Sequence, residues 1–222
     1  MKLKNSRVLI LSGGRVSISF VKKYLEKEKF EYIIAVDSGL LLAQKLGLPV
    51  NLIVGDFDSV PAKTLDSYKN NPNKEYRIEK YNPQKDYTDT QIAIEKAVER
   101  SPKEIVILGG TGTRFDHSIS NIQNLLLPLE EGIKAFIIDE HNKIYLTNKD
   151  TKINKKDLFG PYISLLPLTK VVEKISLIGF KYTLDKDNIY IGNSIGVSNE
   201  MIEEEGKILL ESGILIIIES RD

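Results

Sequence analysis

The first half of the chain is built from short apolar runs that stop at glycine. Arg7 to Ser12 ends at Gly13-Gly14, Tyr32 to Val36 at Asp37-Ser38-Gly39, and Leu52 to Val54 at Gly55-Asp56-Phe57-Asp58-Ser59. Continuous apolar runs, as opposed to alternating ones, suit strands buried on both faces. Between them lie apolar residues at helical spacing. Phe20, Val21, Tyr24 and Leu25 predict a helix over about 17–29, and the segment 40–46 closes at Gly47 with Pro49 beyond, a helix stop. Strand and helix repeated in this way predict a parallel sheet covered by crossover helices.

The pattern continues with a short helix over 61–68 and a strand from Glu75 to Lys80. A polar loop, Asn82-Pro83-Gln84-Lys85-Asp86-Tyr87, then leads into Thr88, which with Gln91 three residues on has the form of a capping box. Ile92, Ala93, Ala97 and Val98 carry that helix onward. Glu104 to Leu108 reads as another buried strand, ending in Gly109-Gly110-Thr111-Gly112-Thr113-Arg114-Phe115-Asp116-His117. A helix over about 118–130 follows, with Ile119, Ile122, Gln123, Leu126 and Leu127 on its expected apolar face, Gln123 being the one polar gap, and then strands over 134–138 and 143–147.

From Asn148 the grammar changes. Candidate strands over 162–167, 171–177, 188–191, 206–210 and 214–219 come at short intervals with no clear helix between them. The expected fold class is therefore α/β. A parallel-sheet, Rossmann-like domain over 1–148 precedes an all-β, sandwich-like domain over 149–222, with the boundary in Lys149-Asp150-Thr151-Lys152.

Composition narrows the chemistry. The 222 residues include no cysteine, which excludes disulfides, thiolate catalysis and cysteine-ligated zinc. Lys and Arg number 31 and Asp and Glu 31, so no global field favours nucleic acid or an anionic membrane. Met1 to Asn5 is short and basic, but Ser12-Gly13-Gly14 interrupts the apolar run after it too early for a signal peptide. The longest apolar stretch, Ile214 to Ile218, falls far below a membrane span. The expectation is a cytoplasmic protein that binds neither nucleic acid nor membrane.

Candidate chemistry gathers at the strand ends, where open parallel sheets bind their ligands. Asp56 and Asp58 leave one strand at alternate positions, and two carboxylates so placed call for a cation between them. Magnesium takes oxygen ligands and shares its shell with phosphates. Lys85, Asp86, Thr88 and Asp89 form a charged group at a helix N-terminus, where Asp89 also complements the helix dipole. Gly109, Gly110 and Gly112 let backbone amides approach an anion, and Arg114 can fork onto phosphate oxygens. Asp116 and His117 open the next helix, His117 as a hydrogen-bonding partner at its start. The loop 194–200 offers Ser and Asn side chains suited to a polar heterocycle. These features serve a phosphotransferase, a magnesium-dependent nucleotide phosphohydrolase, or a nucleotide-binding module without turnover.

Taken in order, Asp37-Ser38-Gly39, Gly55 to Ser59, Lys85 to Asp89, Gly109 to His117 and Ser194 to Asn199 resemble the motifs of thiamine pyrophosphokinases across nearly the whole chain. The resemblance implies a homodimer whose N-terminal domain binds ATP and magnesium, with thiamine between the subunits, partly against the β-rich domain of the partner. It also implies transfer of the terminal diphosphate of ATP to the thiamine hydroxyl, releasing AMP. On this reading Asp56, Asp58, Asp86 and Asp89 are the metal set. Asp86, Asp89 and Arg114 are the catalytic set, with Asp86 or Asp89 orienting or deprotonating the hydroxyl. Asp37, Gly39, Thr88, Gly110, Gly112, Arg114, Asp116 and His117 line the nucleotide and phosphate side, and Ser198 and Asn199 contact thiamine. Two departures stand out: Ser38 replaces a second glycine found in many members, and the chain has no tryptophan to stack on thiamine.

Overall fold

The computed structural model describes residues 5–72, 75–82 and 86–222, so Met1–Lys4 and the Pro83-Gln84-Lys85 portion of the charged loop lie outside the described residues. The chain divides into two units, residues 1–140 and 141–222. Among the described residues no helix is long and apolar enough to cross a membrane.

Unit 1 is a six-stranded, all-parallel sheet. Its strands are β1 (Arg7–Leu11), β2 (Tyr32–Val36), β3 (Leu52–Gly55), β4 (Arg77–Lys80), β5 (Glu104–Leu108) and β6 (Lys134–Ile138), in spatial order β4-β3-β2-β1-β5-β6. Val8 to Leu11, Ile34 and Ile105 to Leu108 are almost fully buried, as their uninterrupted apolar runs demand. The helices are α1 (Ile18–Leu25), α2 (Gly39–Leu46), α3 (Ala62–Lys69), α4 (Asp89–Val98), α5 (Phe115–Asn124) and α6 (Leu126–Glu130). Right-handed crossovers put α1 to α3, made while the chain moves outward from β1, on one face, and α4 to α6 on the other. The contacts of α1 with α2, and of α4 with α5 and α6, agree with this. Because β2 and β5 flank β1 on opposite sides, the strand order reverses between β1 and β5, and the crevice beyond their carboxyl ends is where such sheets bind ligands.

The helix expected over 118–130 is two helices. Pro128 has no N–H to donate to the preceding turn, and α5 ends at Asn124 before α6 begins at Leu126. Its face also differs from the expected one: Ile119 is 54% exposed, and the buried residue of α5 is Asn121. At the start of α4, the Thr88 hydroxyl accepts from Gln91 N at 3.2 Å. The Gln91 amide instead turns to Glu95, so the capping box is half formed.

Unit 2 contains two antiparallel four-stranded sheets. One pairs β7 (Asn142–Thr147), β9 (Tyr162–Pro167), β12 (Asn199–Glu200) and β14 (Leu215–Ser220) in the order β12-β9-β14-β7. The other pairs β8 (Thr151–Asn154), β10 (Val171–Ile178), β11 (Asp187–Tyr190) and β13 (Glu205–Leu209) in the order β11-β10-β13-β8. Ile163, Leu165, Leu215 and Ile217 alternate inward and join Val172, Ile175, Leu177, Phe180 and Ile208 in one core. A register shift between Val172 and Ile175, with Lys174 at φ 50°, bulges β10 and lets two buried residues stand three apart. Glu219, only 2% exposed, accepts from Lys143 Nζ at 3.2 Å and Phe159 N at 2.8 Å.

Candidate active site

The turns after β1 and β5 clasp each other. Ser12 N donates to the Leu108 carbonyl and Gly14 N to the Gly109 carbonyl, both at 2.8 Å. A side chain at Gly14 would overlap the carbonyls of Thr111 and Gly109, so glycine is required there by close approach. Beyond the β5 turn, the buried Asn121 amide donates to the Gly110 carbonyl at 2.7 Å. Thr111 Oγ1 donates to Asp139 Oδ2 at 2.7 Å, and Ser118 Oγ accepts from Gly112 N at 3.3 Å. The glycine turn is therefore held from behind by side chains of α5 and of the segment after β6.

Three carboxylates face this double turn. Asp37, Asp56 and Asp89, from the ends of β2 and β3 and the first turn of α4, each offer an oxygen, and these oxygens lie within 4.8 Å of one another. Asp37 adopts φ 45°, and its Oδ1 accepts from Phe57 N at 3.3 Å. Phe57, with φ 67° and its ring buried, interrupts the alternation expected after β3. Asp56 consequently joins the trio. Asp58 is exposed, its N–H donating to Asp56 Oδ1 at 3.0 Å. On α4, the Thr90 hydroxyl sits 2.7 Å from Ser12 Oγ in a buried contact that ties the helix start to the β1 turn.

Crowding three like charges disfavours full ionisation. Burial, then the Asp89 charge and the smaller push from Asp56, raise the Asp37 pKa to about 7 against the opposing hydrogen bond from Phe57 N. All the donors are carboxylate oxygens, converging from three separate turns, which suits a hard divalent cation such as magnesium.

The trio and the double glycine turn border one cavity of about 760 Å³. It brings together Asp37, Asp56, Thr88, Asp89, Gly110, Gly112, Arg114 and His117 in its lining. Asp116 stays outside the lining, paired with Arg114 through Nη2 at 2.6 Å and Nε at 3.2 Å. Arg114 holds its carboxyl below the usual range. Asp86 is exposed and outside the trio, whereas its neighbour Tyr87 lines the cavity. Gly39 is buried at the start of α2, where a side chain would overlap the Leu11 carbonyl. In unit 2, Ser198 is exposed at φ 56° and its N–H donates to Ser164 Oγ. Asn199 is buried, its amide closing on both Tyr182 N and Tyr182 O.

Sequence reasoning missed Arg15, Ser12, Thr90, Thr111 and Asn121, all of which line the cavity. Asn121 gave no signal, because it stands off the apolar stripe of its helix, on the face with Ser118 and Asn124. The hydroxyl pair joins residues 78 positions apart and has no local signature.

The family model described as thiamin pyrophosphokinase, catalytic domain, matches residues 21–137. That described as thiamin pyrophosphokinase, vitamin B1 binding domain, matches residues 150–215. The chain is 34% identical over 196 residues to the thiamine pyrophosphokinase of Bacillus subtilis (strain 168), covering 85% of this chain and 87% of the relative. The crystal structure of thiamine pyrophosphokinase from Bacillus subtilis matches with a TM-score of 0.85 at 31% identity, over 97% of this chain and 99% of that one. The crystal structure of thiamin pyrophosphokinase from Geobacillus thermodenitrificans matches with a TM-score of 0.83 at 28% identity, over 97% and 98%.

Proposed function

The chain belongs to the thiamine pyrophosphokinase family, and on that premise we propose that it transfers the diphosphate of ATP to the hydroxyl of thiamine, giving thiamine diphosphate and AMP. The observation that carries the reading is a single cavity with three convergent carboxylates on one side and two interlocked glycine turns on the other. The glycine turns let backbone approach the phosphate chain at the β1/β5 crevice. Asp89, held by the α4 start and by the Ser12–Thr90 contact, orients the thiamine hydroxyl and accepts its proton. Asp37 and Asp56, with Asp89, are the oxygen donors for magnesium. When bound, that ion supplies positive charge against the triphosphate and relieves the repulsion within the trio. The surplus of carboxylate also favours thiamine itself, a permanent cation.

Asp58 and Asp86 belong to the proposed metal set on sequence grounds alone, and Asp58→Asn tests that membership: unchanged turnover at saturating magnesium removes Asp58 from it. Unit 2 contributes to thiamine binding through loop 194–199, where Ser198 presents an exposed hydroxyl while the Asn199 amide is occupied by Tyr182. Assembly as a homodimer is part of the proposal. Exposed apolar side chains of unit 2, Tyr190, Ile191, Ile195 and Ile202 among them, support it, and light scattering tests it.

AMP release is the decisive measurement. AMP formed only when thiamine and magnesium are both present is the expected result, whereas ATP hydrolysis without thiamine makes the protein a phosphohydrolase.

A further inference from the structure

Diphosphate transfer develops charge on the departing group. As the thiamine hydroxyl oxygen bonds to the β-phosphorus, the bond from that phosphorus to the oxygen bridging it to the α-phosphorus breaks. The bridging oxygen keeps the electron pair. The hydroxyl proton passes to a cavity carboxylate and then to solvent, and AMP leaves with the added negative charge on its α-phosphate. A cation at that phosphate, away from the carboxylate trio, stabilises the transition state.

Two guanidinium groups reach the cavity. Arg114 is engaged by both oxygens of Asp116. Arg15 is exposed and makes no ion pair with any of the described residues. Its backbone, by contrast, is pinned from both directions. Before it, Gly14 is bonded to the Gly109 carbonyl and has no room for a side chain, and a Cβ on Gly112 would stand 3.3 Å from Arg15 N. After it, Ser17 caps α1 by accepting from Phe20 N, and the Glu140 carboxylate accepts from Ser17 N. Arg15 therefore combines a fixed anchor, at the crossing of the two glycine turns, with an uncommitted charged fork.

We propose, resting on the diphosphate-transfer reading above, that Arg15 contacts the α-phosphate of ATP and neutralises the departing AMP. A fork of guanidinium donors matches phosphate oxygens, and the long stem lets it follow the phosphate as the bond to the β-phosphorus lengthens.

The test uses Arg15→Ala and Arg15→Lys in the full chain, each checked for a melting temperature near that of the parent. With ATP and thiamine saturating, Arg15→Ala is expected to lower kcat about 10- to 100-fold and to weaken AMP binding, measured calorimetrically, about tenfold. Thiamine affinity stays within about twofold in the same measurement, and Arg15→Lys, which keeps the charge without the fork, falls between parent and alanine variant. An Arg15→Ala protein with unchanged kcat and AMP affinity overturns the proposal, as does a defect confined to the KM for ATP. If the parent itself forms no AMP with thiamine, the reaction reading fails, and the AMP affinities still decide whether Arg15 contacts the phosphate.

Discussion

The carboxylate of Asp37 occupies the space that a side chain on Gly55 would need, so a Cβ there would overlap Asp37 Oδ1. Two neighbouring parallel strands thereby place a carboxylate of one over the terminal glycine of the other. Gly55→Ala must push Asp37 out of the trio. The expected outcome is a loss of turnover exceeding tenfold with a stability change of about 1–3 kcal/mol. Steady-state kinetics and urea unfolding on the same preparation separate the two effects.

Asp37 also fixes a pH dependence. Its pKa of about 7 in the folded protein lies above the value of about 3.9 for an unfolded aspartate. Between those values the folded state holds a proton that the unfolded state has released, so stability of the metal-free protein falls as pH rises through that window. Asp37→Asn removes the group that must ionise. The variant is expected to melt above the parent at pH 8, with the gap closing towards pH 4. Added magnesium should raise the parent's melting temperature at pH 8 by more than the variant's. A parent that grows more stable from pH 4 to pH 7, once other groups are matched by the variant, contradicts the crowded trio.

Ser12 and Thr90 couple the β1 turn to the start of α4 through one buried hydroxyl contact. Thr90→Val leaves the Ser12 hydroxyl without its partner and is expected to destabilise by about 1–2 kcal/mol. In a double-mutant cycle with Ser12→Ala, the coupling should reach at least about 0.5 kcal/mol. Additive losses show the two hydroxyls acting independently.

Asn121 is 6% exposed and faces the Gly110 carbonyl. Asn121→Leu keeps the volume at that helix position and removes the donor. Nucleotide affinity is expected to fall about tenfold, while far-ultraviolet circular dichroism stays that of the parent. Equal ATP affinity in the two proteins refutes a supporting role for this amide.

In unit 2 the stability test lies at Glu219. Removing a buried carboxylate that is paired with Lys143 and bonded to Phe159 N takes the counter-charge from the lysine and the acceptor from the N–H together. Glu219→Ala is expected to destabilise by about 3–5 kcal/mol, and Glu219→Gln by less because it retains an acceptor. Denaturant titration ranks them.

Much of unit 1 was readable because a parallel strand covered on both faces leaves a long apolar run and stops at a glycine, as at Leu108-Gly109. Unit 2 was readable in its long alternating strands, β9 and β14. The short β8 and β12 carry too few residues to establish an alternation, whereas β10 was legible as a strand over 171–177 despite the bulge at Lys174. At the site, the individual acids were visible, but their grouping was not. Alternate spacing puts Asp56 and Asp58 together only while the strand continues, but β3 stops at Gly55 and the left-handed Phe57 separates the two acids. Ile119 and Asn121 exchange their expected environments for a related reason: the helix face turned inward carries a donor for a backbone carbonyl, so local hydropathy points the wrong way.

The mutual clasp of the β1 and β5 turns has a bearing on biosynthesis. Arg7 and Glu104, joined side chain to side chain at the opposite end of the same strand pair, stand 97 residues apart in the chain. A nascent polypeptide that has emerged only through β4 already carries Asp37 and Asp56, yet it lacks the partner that shapes the Gly13-Gly14 turn. Closing so long a loop comes late in folding. Nucleotide affinity should therefore switch on only after the ribosome has released the chain beyond Asn121, which makes ATP binding by stalled intermediates of graded length a direct clock for when this sheet closes.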